Sequence, residues 1–164
     1  MLTIAPADLD DPRVIDLLDL HITRARAETA PGSAHALGLS GLKSPDVQVW
    51  TAWEGNDLVG IGALKRLTAD HGEVKSMYAA EASRRRGVGS EMLRHIIAAA
   101  RDGGLSRLSL ETGAWPYFEP ARAFYRRFGF TPCGPFGDYL PDPNSIFMSL
   151  SLKSAPLDPP EPRV

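Results

Sequence analysis

Residues 73–111 read EVKSMYAAEASRRRGVGSEMLRHIIAAARDGGLSRLSLE, and the reading of this stretch decides the fold. Glu73 to Ala79 is predicted as a strand, with Glu73, Lys75 and Met77 on one face and Val74, Ser76 and Tyr78 on the other. Val88, Met92 and Ile96, with Leu93, Ile97 and Ala100, recur at helical spacing, so Gly87 to Asp102 should be a helix with one apolar side, ended by Gly103-Gly104. Leu105 to Glu111 alternates again and reads as a second strand. The three form a strand-helix-strand unit, right-handed if its strands are parallel.

The turn inside that unit is Ser83-Arg84-Arg85-Arg86-Gly87-Val88-Gly89-Ser90. A helix N-terminus offers free N–H groups and the positive end of its dipole, glycine admits close approach of a phosphate, and arginine adds charge-assisted hydrogen bonds. No lysine follows Gly89, which argues against a nucleoside triphosphatase loop. A dinucleotide fingerprint is a nearer rival, since Glu111 ends the next strand. Met92, however, occupies its third glycine position, and too little chain remains for a second nucleotide-binding half. A solvated arginine cluster before an ordinary helix is the plain alternative.

Working outward, Leu2 to Ile4 reads as a short strand, and Asp10 or Asp11 caps a helix carrying Val14, Leu17, Leu18 and Ile22, with Pro12 in its first turn. Ala30 to Pro45 is a Gly/Pro-rich loop bordering a pocket, with one helical turn around Ala34 to Leu37. Val47 to Trp53 and Leu58 to Leu64 flank turn residues and form a hairpin. A helix over Pro120 to Phe128, a short strand at Phe130 to Cys133 and a last strand at Ser145 to Leu152 follow. Residues 1–153 make one domain, and the Pro-rich residues 154–164 are expected to be disordered.

Composition narrows the functions. The chain has 164 residues, 43% of them hydrophobic, enough for a single core. A net charge of -2 disfavours nucleic acid and acidic membrane surfaces as partners. Cys133 is the only cysteine and the four histidines show no ligand spacing, so neither a disulfide framework nor a metal site is expected. No signal-like start and no long apolar run are present, and a cytoplasmic location is expected.

Arg84-Arg85-Arg86-Gly87-Val88-Gly89 resembles the [RQ]-x-x-G-x-[GA] turn of the GNAT N-acetyltransferase superfamily, and Ala121-Arg122-Ala123-Phe124-Tyr125-Arg126-Arg127-Phe128-Gly129-Phe130 is similar to its A-x-x-[LF]-Y-x-x-x-G-F segment. The two motifs stand in the family's order, and the resemblance, to the bacterial small-molecule type, runs from about Val47 to Leu152. It implies an α/β fold with a mixed, mostly antiparallel, splayed central sheet of about six or seven strands and helices on both faces. It implies acetyl-coenzyme A as acyl donor. Amides at Met77, Tyr78 and Ala79 would hold the pantetheine arm and acetyl carbonyl, and Arg84, Arg85, Arg86, Gly87, Val88, Gly89 and Ser90 the pyrophosphate. Phe118 stands where many members carry asparagine; either the loop Gly113 to Pro120 replaces that contact with apolar surface, Phe118 and Ala121 then lining the cofactor cleft, or it is simply a stiff surface loop.

By the same resemblance, Tyr125 is the acid that protonates the leaving sulfur. Glu73 occupies the position of the glutamate base in GNAT histone acetyltransferases; the alternatives are that it only pairs with Lys75, and that a water chain serves as base, as in many family members. His35, Trp50 and Tyr139 are the candidates for the acceptor side. Two readings of function follow. One is an N-acetyltransferase acting on a primary amine, either a small molecule or an amino acid. The other is a non-catalytic acyl-coenzyme A binding domain, ligand-responsive or structural, which the missing asparagine supports. Monomer and homodimer both stay open.

Overall fold

The computed structural model describes residues 1–80 and 87–152, and local chemistry sets most element boundaries within them. Strand β1 (Leu2–Pro6) leads into α1 (Pro12–Ala27), whose N-cap Asp11 accepts the Arg13 amide at 2.9 Å. The next helical turn, α2 (Leu39–Leu42), lies later than the sequence places it. It forms where Leu42 can bury against α1 and the sheet, leaving Ala34 to Leu37 as irregular backbone. The hairpin β2 (Val47–Glu54) and β3 (Asp57–Arg66) turns at Gly55, whose φ of 60° is left-handed. Then come β4 (His71–Ala79), α3 (Val88–Asp102), β5 (Arg107–Gly113), a 3₁₀ turn at Pro116–Phe118, α4 (Glu119–Arg127), β6 (Thr131–Cys133) and β7 (Ser145–Ser151).

The strands form one seven-stranded sheet in the order β1-β2-β3-β4-β5-β7-β6. Every neighbouring pair is antiparallel except β4 and β5. That parallel pair is short: His71, Gly72 and Glu73 register with Arg107, Leu108 and Ser109, and beyond Glu73 the ladder stops. The sheet therefore splays between β4 and β5. Helices α3 and α4 cover one face, burying Leu93, Ile96, Leu108, Leu110, Tyr125 and Phe130 in one cluster. Helix α1 covers β3 and β4 on the other face through Val14, Leu18, Ile22, Ile61 and Tyr78. Burying each such aliphatic or aromatic side chain contributes about 1.5–3 kcal/mol. The close seat of α3 requires the glycines of β3, since a Cβ on Gly62 would stand 2.7 Å from Met92.

One sequence expectation is corrected here. Strand β4 does not alternate evenly, because Ser76 adopts a left-handed φ of 55°. Lys75 registers with Ala63 and Tyr78 with Ile61, so Ser76 and Met77 together oppose Gly62 in a bulge. Past it the faces exchange: Met77 packs with Val74 in the α3 cluster, while Tyr78 turns to α1. Glu73 and Lys75 thus do not share a face with Met77.

Candidate functional site

The splay opens two cavities that meet. The larger, about 570 Å³, runs from Met77, Tyr78 and Ala79 to Gly87, Val88, Gly89 and Ser90, with Phe118, Ala121 and Tyr125 along its other wall. Gly87 holds a left-handed φ of 81° and caps α3 with no side-chain hydrogen bond, leaving the first-turn N–H groups directed at this cleft. A Cβ on Gly89 would meet only the Phe124 ring, at 3.6 Å. The cleft therefore has an apolar wall of ring and methylene groups and a polar end of backbone donors. Arg84, Arg85 and Arg86 lie outside the described residues.

Phe118, at the position of the family's asparagine, lines both cavities. Its ring lies directly on Gly113, where a Cβ would stand 2.1 Å from it. Arg122 ties the preceding loop down, its Nη1 donating to the carbonyls of Gly113 at 2.6 Å and Trp115 at 3.1 Å. The loop is both stiffened and apolar toward the cleft.

The smaller cavity, about 140 Å³, is polar and lies on the α1 side of the gap, bordered by Ser33, His35, Glu73, Lys75, Ser76 and Glu111. Glu73 is only 3% exposed, and its Oε2 accepts from Lys75 Nζ at 3.0 Å and from Tyr139 Oη at 2.5 Å. Lys75 Nζ donates to Tyr139 Oη at 2.8 Å, closing a three-membered network. Burial and the Glu73 carboxylate push the Tyr139 phenol far up, so it stays a proton donor. The His35 ring meets the edge of Tyr139, centroids 5.1 Å apart, and Phe136 and Phe147 pack on the same phenol. Ser76 Oγ is buried with no protein partner among the described residues and borders this cavity.

Glu111 was placed by its sequence position only at the end of a strand. In the fold it borders the small cavity, and its carboxyl is pushed up to about 7. Burial is the main cause; the Ser145 hydroxyl and Lys75 pull the value down, and Glu73 and Asp142 raise it. No local signal marks this residue, because its neighbours come from β4, from β7 and from the loop before β7.

His21, Ala25, Met77, Phe118, Ala121 and Tyr125 border both cavities and so mark their junction. Tyr125 is buried, its ring on Phe124 and Phe130, and burial pushes its phenol well up. Burial likewise holds the His21 imidazole at about 4, hence neutral, with its ring against Tyr78. The residues expected to act together are largely brought together: Glu73, His35 and Tyr125 border the small cavity, and Tyr139 backs it through Glu73 and Lys75. Trp50 is not among them. It points to the α3 face, its ring on His95, beside a separate groove, because its position in β2 faces away from the α1 side. No cluster of potential metal ligands occurs among the described residues.

Residues 16–130 match the Acetyltransferase (GNAT) family. The chain is 48% identical over 145 residues to the "Uncharacterized N-acetyltransferase YsnE" of Bacillus subtilis (strain 168), covering 88% of this chain and 96% of that protein. Its fold is similar to the crystal structure of a candidate acyl-CoA N-acyltransferase from Klebsiella pneumoniae subsp. pneumoniae, with a TM-score of 0.76, 29% identity, and coverage of 93% and 98% of the two chains. It is similar in fold also to an Elizabethkingia anophelis GNAT family acetyltransferase with acetyl-CoA bound, with a TM-score of 0.68, 21% identity, and coverage of 92% and 98%.

Proposed function

The chain belongs to the acetyltransferase (GNAT) family and is an acyltransferase, and on that premise we propose that it transfers acetyl directly from acetyl-coenzyme A to the primary amine of a small molecule or amino acid. The observation that carries this reading is the junction at Tyr125, where a long cleft ending in free backbone donors opens into a small cavity bordered by carboxylates. The residues present fit the donor. The uncapped first turn of α3 suits a pyrophosphate, and Met77, Phe118, Ala121 and Phe124 suit an extended apolar arm. When bound there, acetyl-coenzyme A supplies a thioester carbonyl for attack by a neutral amine.

The protein's own side chains then have separate tasks. Tyr125 keeps its proton at neutral pH because burial disfavours the phenolate, and it donates that proton to the departing sulfur. Met77, Tyr78 and Ala79, re-aimed by the bulge at Ser76, line the cleft beside the junction and orient the acyl group. Glu73, held through Oε2 by Lys75 and Tyr139, fixes the shape of the acceptor cavity. His35 closes the cavity above Tyr139.

We place this activity in the cytoplasm, with no nucleic-acid or membrane partner, as one domain over residues 1–153. The single cysteine, Cys133, is exposed and free, which suits a reducing compartment, and no described helix is long and apolar enough to cross a membrane. The test is to incubate the protein with acetyl-coenzyme A and a panel of ethylamine, ethanolamine, putrescine, glycine and lysine, following free thiol and product mass. Amine-dependent thiol release with an acetylated product is expected. Tight coenzyme A binding without release on a broad panel would instead favour the non-catalytic reading.

A further inference from the structure

Glu111 is a half-buried carboxyl that borders the small cavity where the sheet splays. The β4–β5 ladder ends at Glu73 and Ser109, and Lys75 and Glu111 are the next residues on the same face of the two diverging strands. Leu108 and Leu110 face the α3 core, which sets Ser109 and Glu111 on the opposite, α1 side. Both Glu111 and Lys75 border the small cavity. Among the described residues, Lys75 has its ion pair with Glu73, whereas Glu111 has none.

The groups that face Glu111 come from every element around it. Strand β4 contributes Glu73 and Lys75, the loop before β7 contributes Tyr139 and Asp142, and β7 contributes the Ser145 hydroxyl. His35 borders the same cavity and lies near Asp142. Against one lysine, already shared with Glu73 and Tyr139, the region holds the carboxyl groups of Glu73, Glu111 and Asp142. Such a cavity attracts a cation and repels an anion.

Resting on the acetyltransferase reading, we propose that Glu111, and not Glu73, receives the acceptor's proton, and that the acceptor enters as a compact alkylammonium. The chemistry balances simply. An N–H bond of the ammonium breaks, its proton goes to the Glu111 carboxylate, and the lone pair is freed. The C–N bond forms at the thioester carbonyl carbon, the C–S bond breaks and the sulfur takes the proton of Tyr125. The second N–H proton of the attacking nitrogen, which the amide does not keep, passes to the Tyr125 oxygen and restores the phenol. Glu73 is unsuited to this exchange because its carboxylate is already held by two donors, at 3.0 Å and 2.5 Å. Glu111 is suited because burial and the neighbouring carboxylates hold its proton affinity near neutrality, where it can both accept and release.

Two measurements test this, one of which does not need turnover. In the first, kcat is followed against pH with the best amine of the panel. The wild type should rise to a plateau above about pH 7. Glu111→Gln should lose that limb and about a hundredfold in kcat while binding acetyl-coenzyme A as before. Glu73→Gln should keep the limb, whatever its rate. In the second, ethylammonium is titrated calorimetrically into the coenzyme A complex at pH 7 in buffers of different ionisation enthalpy. The wild type should release roughly half a proton as the cation drives off the proton of Glu111, and Glu111→Gln none. A Glu111→Gln enzyme with the wild-type limb and a rate within about threefold would overturn the proposal, as would equal proton release by the two proteins. Should Glu111→Gln fail to bind coenzyme A, Glu111→Ala, which also lacks the carboxyl, replaces it with the same criteria. If no amine is acetylated, the acetyltransferase reading falls, and proton release still decides the role of Glu111.

Discussion

The two cavities at the splay are built on different principles. The long cleft is made mainly of backbone and of residues close in sequence, Met77 to Ala79 and Gly87 to Ser90, with α4 as its far wall. The small cavity is made of side chains distant in sequence, Ser33 and His35 from one loop, Glu73 and Lys75 from β4, and Glu111 from β5. A site of backbone donors tolerates many side-chain changes but not an added anion. A site of interlocked charges fails when any one member is removed.

That contrast can be broken most severely at Gly89. A Cβ there meets only ordinary contact with Phe124, so Gly89→Glu should fold, yet it sets a carboxylate at the donor end of the cleft. Acetyl-coenzyme A affinity is expected to fall by at least about a hundredfold by calorimetry, with unchanged melting behaviour. Affinity close to that of the wild type would remove the phosphate role from this turn.

The junction gives the next largest effect. Tyr125→Phe keeps the ring against Phe124 and Phe130 and deletes only the hydroxyl. Turnover should drop roughly a hundredfold with acetyl-coenzyme A affinity preserved. Rates within about threefold, measured where chemistry limits, would assign the proton to another donor.

On the acceptor side, Tyr139→Phe should act on both stability and acceptor affinity. It leaves Glu73 and Lys75 each short of one partner in a buried setting, at a cost of about 1–3 kcal/mol in denaturant unfolding. The acceptor KM should rise while donor affinity stays the same, sharpening the division between the two cavities.

The smallest effect is in pH. The imidazole of His21 is held at about 4, below its ordinary 6.5, so the unfolded chain binds its proton first. Its contribution is complete above about pH 6.5 and is lost as pH falls toward 4. Glu111 has the opposite sign: its carboxyl is raised from 4.5 to about 7, and stability declines as pH climbs through that window. Glu111→Gln, resembling the protonated form, should therefore be more stable than the wild type at pH 8, with the gap shrinking toward pH 4.5. Urea unfolding of the two proteins across that range checks both signs.

How far the sequence reaches follows the same division. Strand and helix periods, the Gly-rich turn and the Tyr125 segment are local patterns, each determined by residues within a turn or two of one another, and together they set the element order and the donor cleft. The acceptor cavity was only partly legible. Glu73, His35 and Tyr139 were found by type and position, whereas Glu111 was marked only as the acidic residue of the disfavoured dinucleotide fingerprint and Trp50 carried a misleading mark. Whether a strand residue looks toward α1 or toward α3 depends on register with its neighbours. The bulge at Ser76 arises because Ser76 and Met77 share one partner across β3, and it exchanges the faces of everything after it. Periodicity by itself determined which segments are strands; only the assembled sheet decided where the β4–β5 ladder stops, and with it which carboxylates meet across the gap.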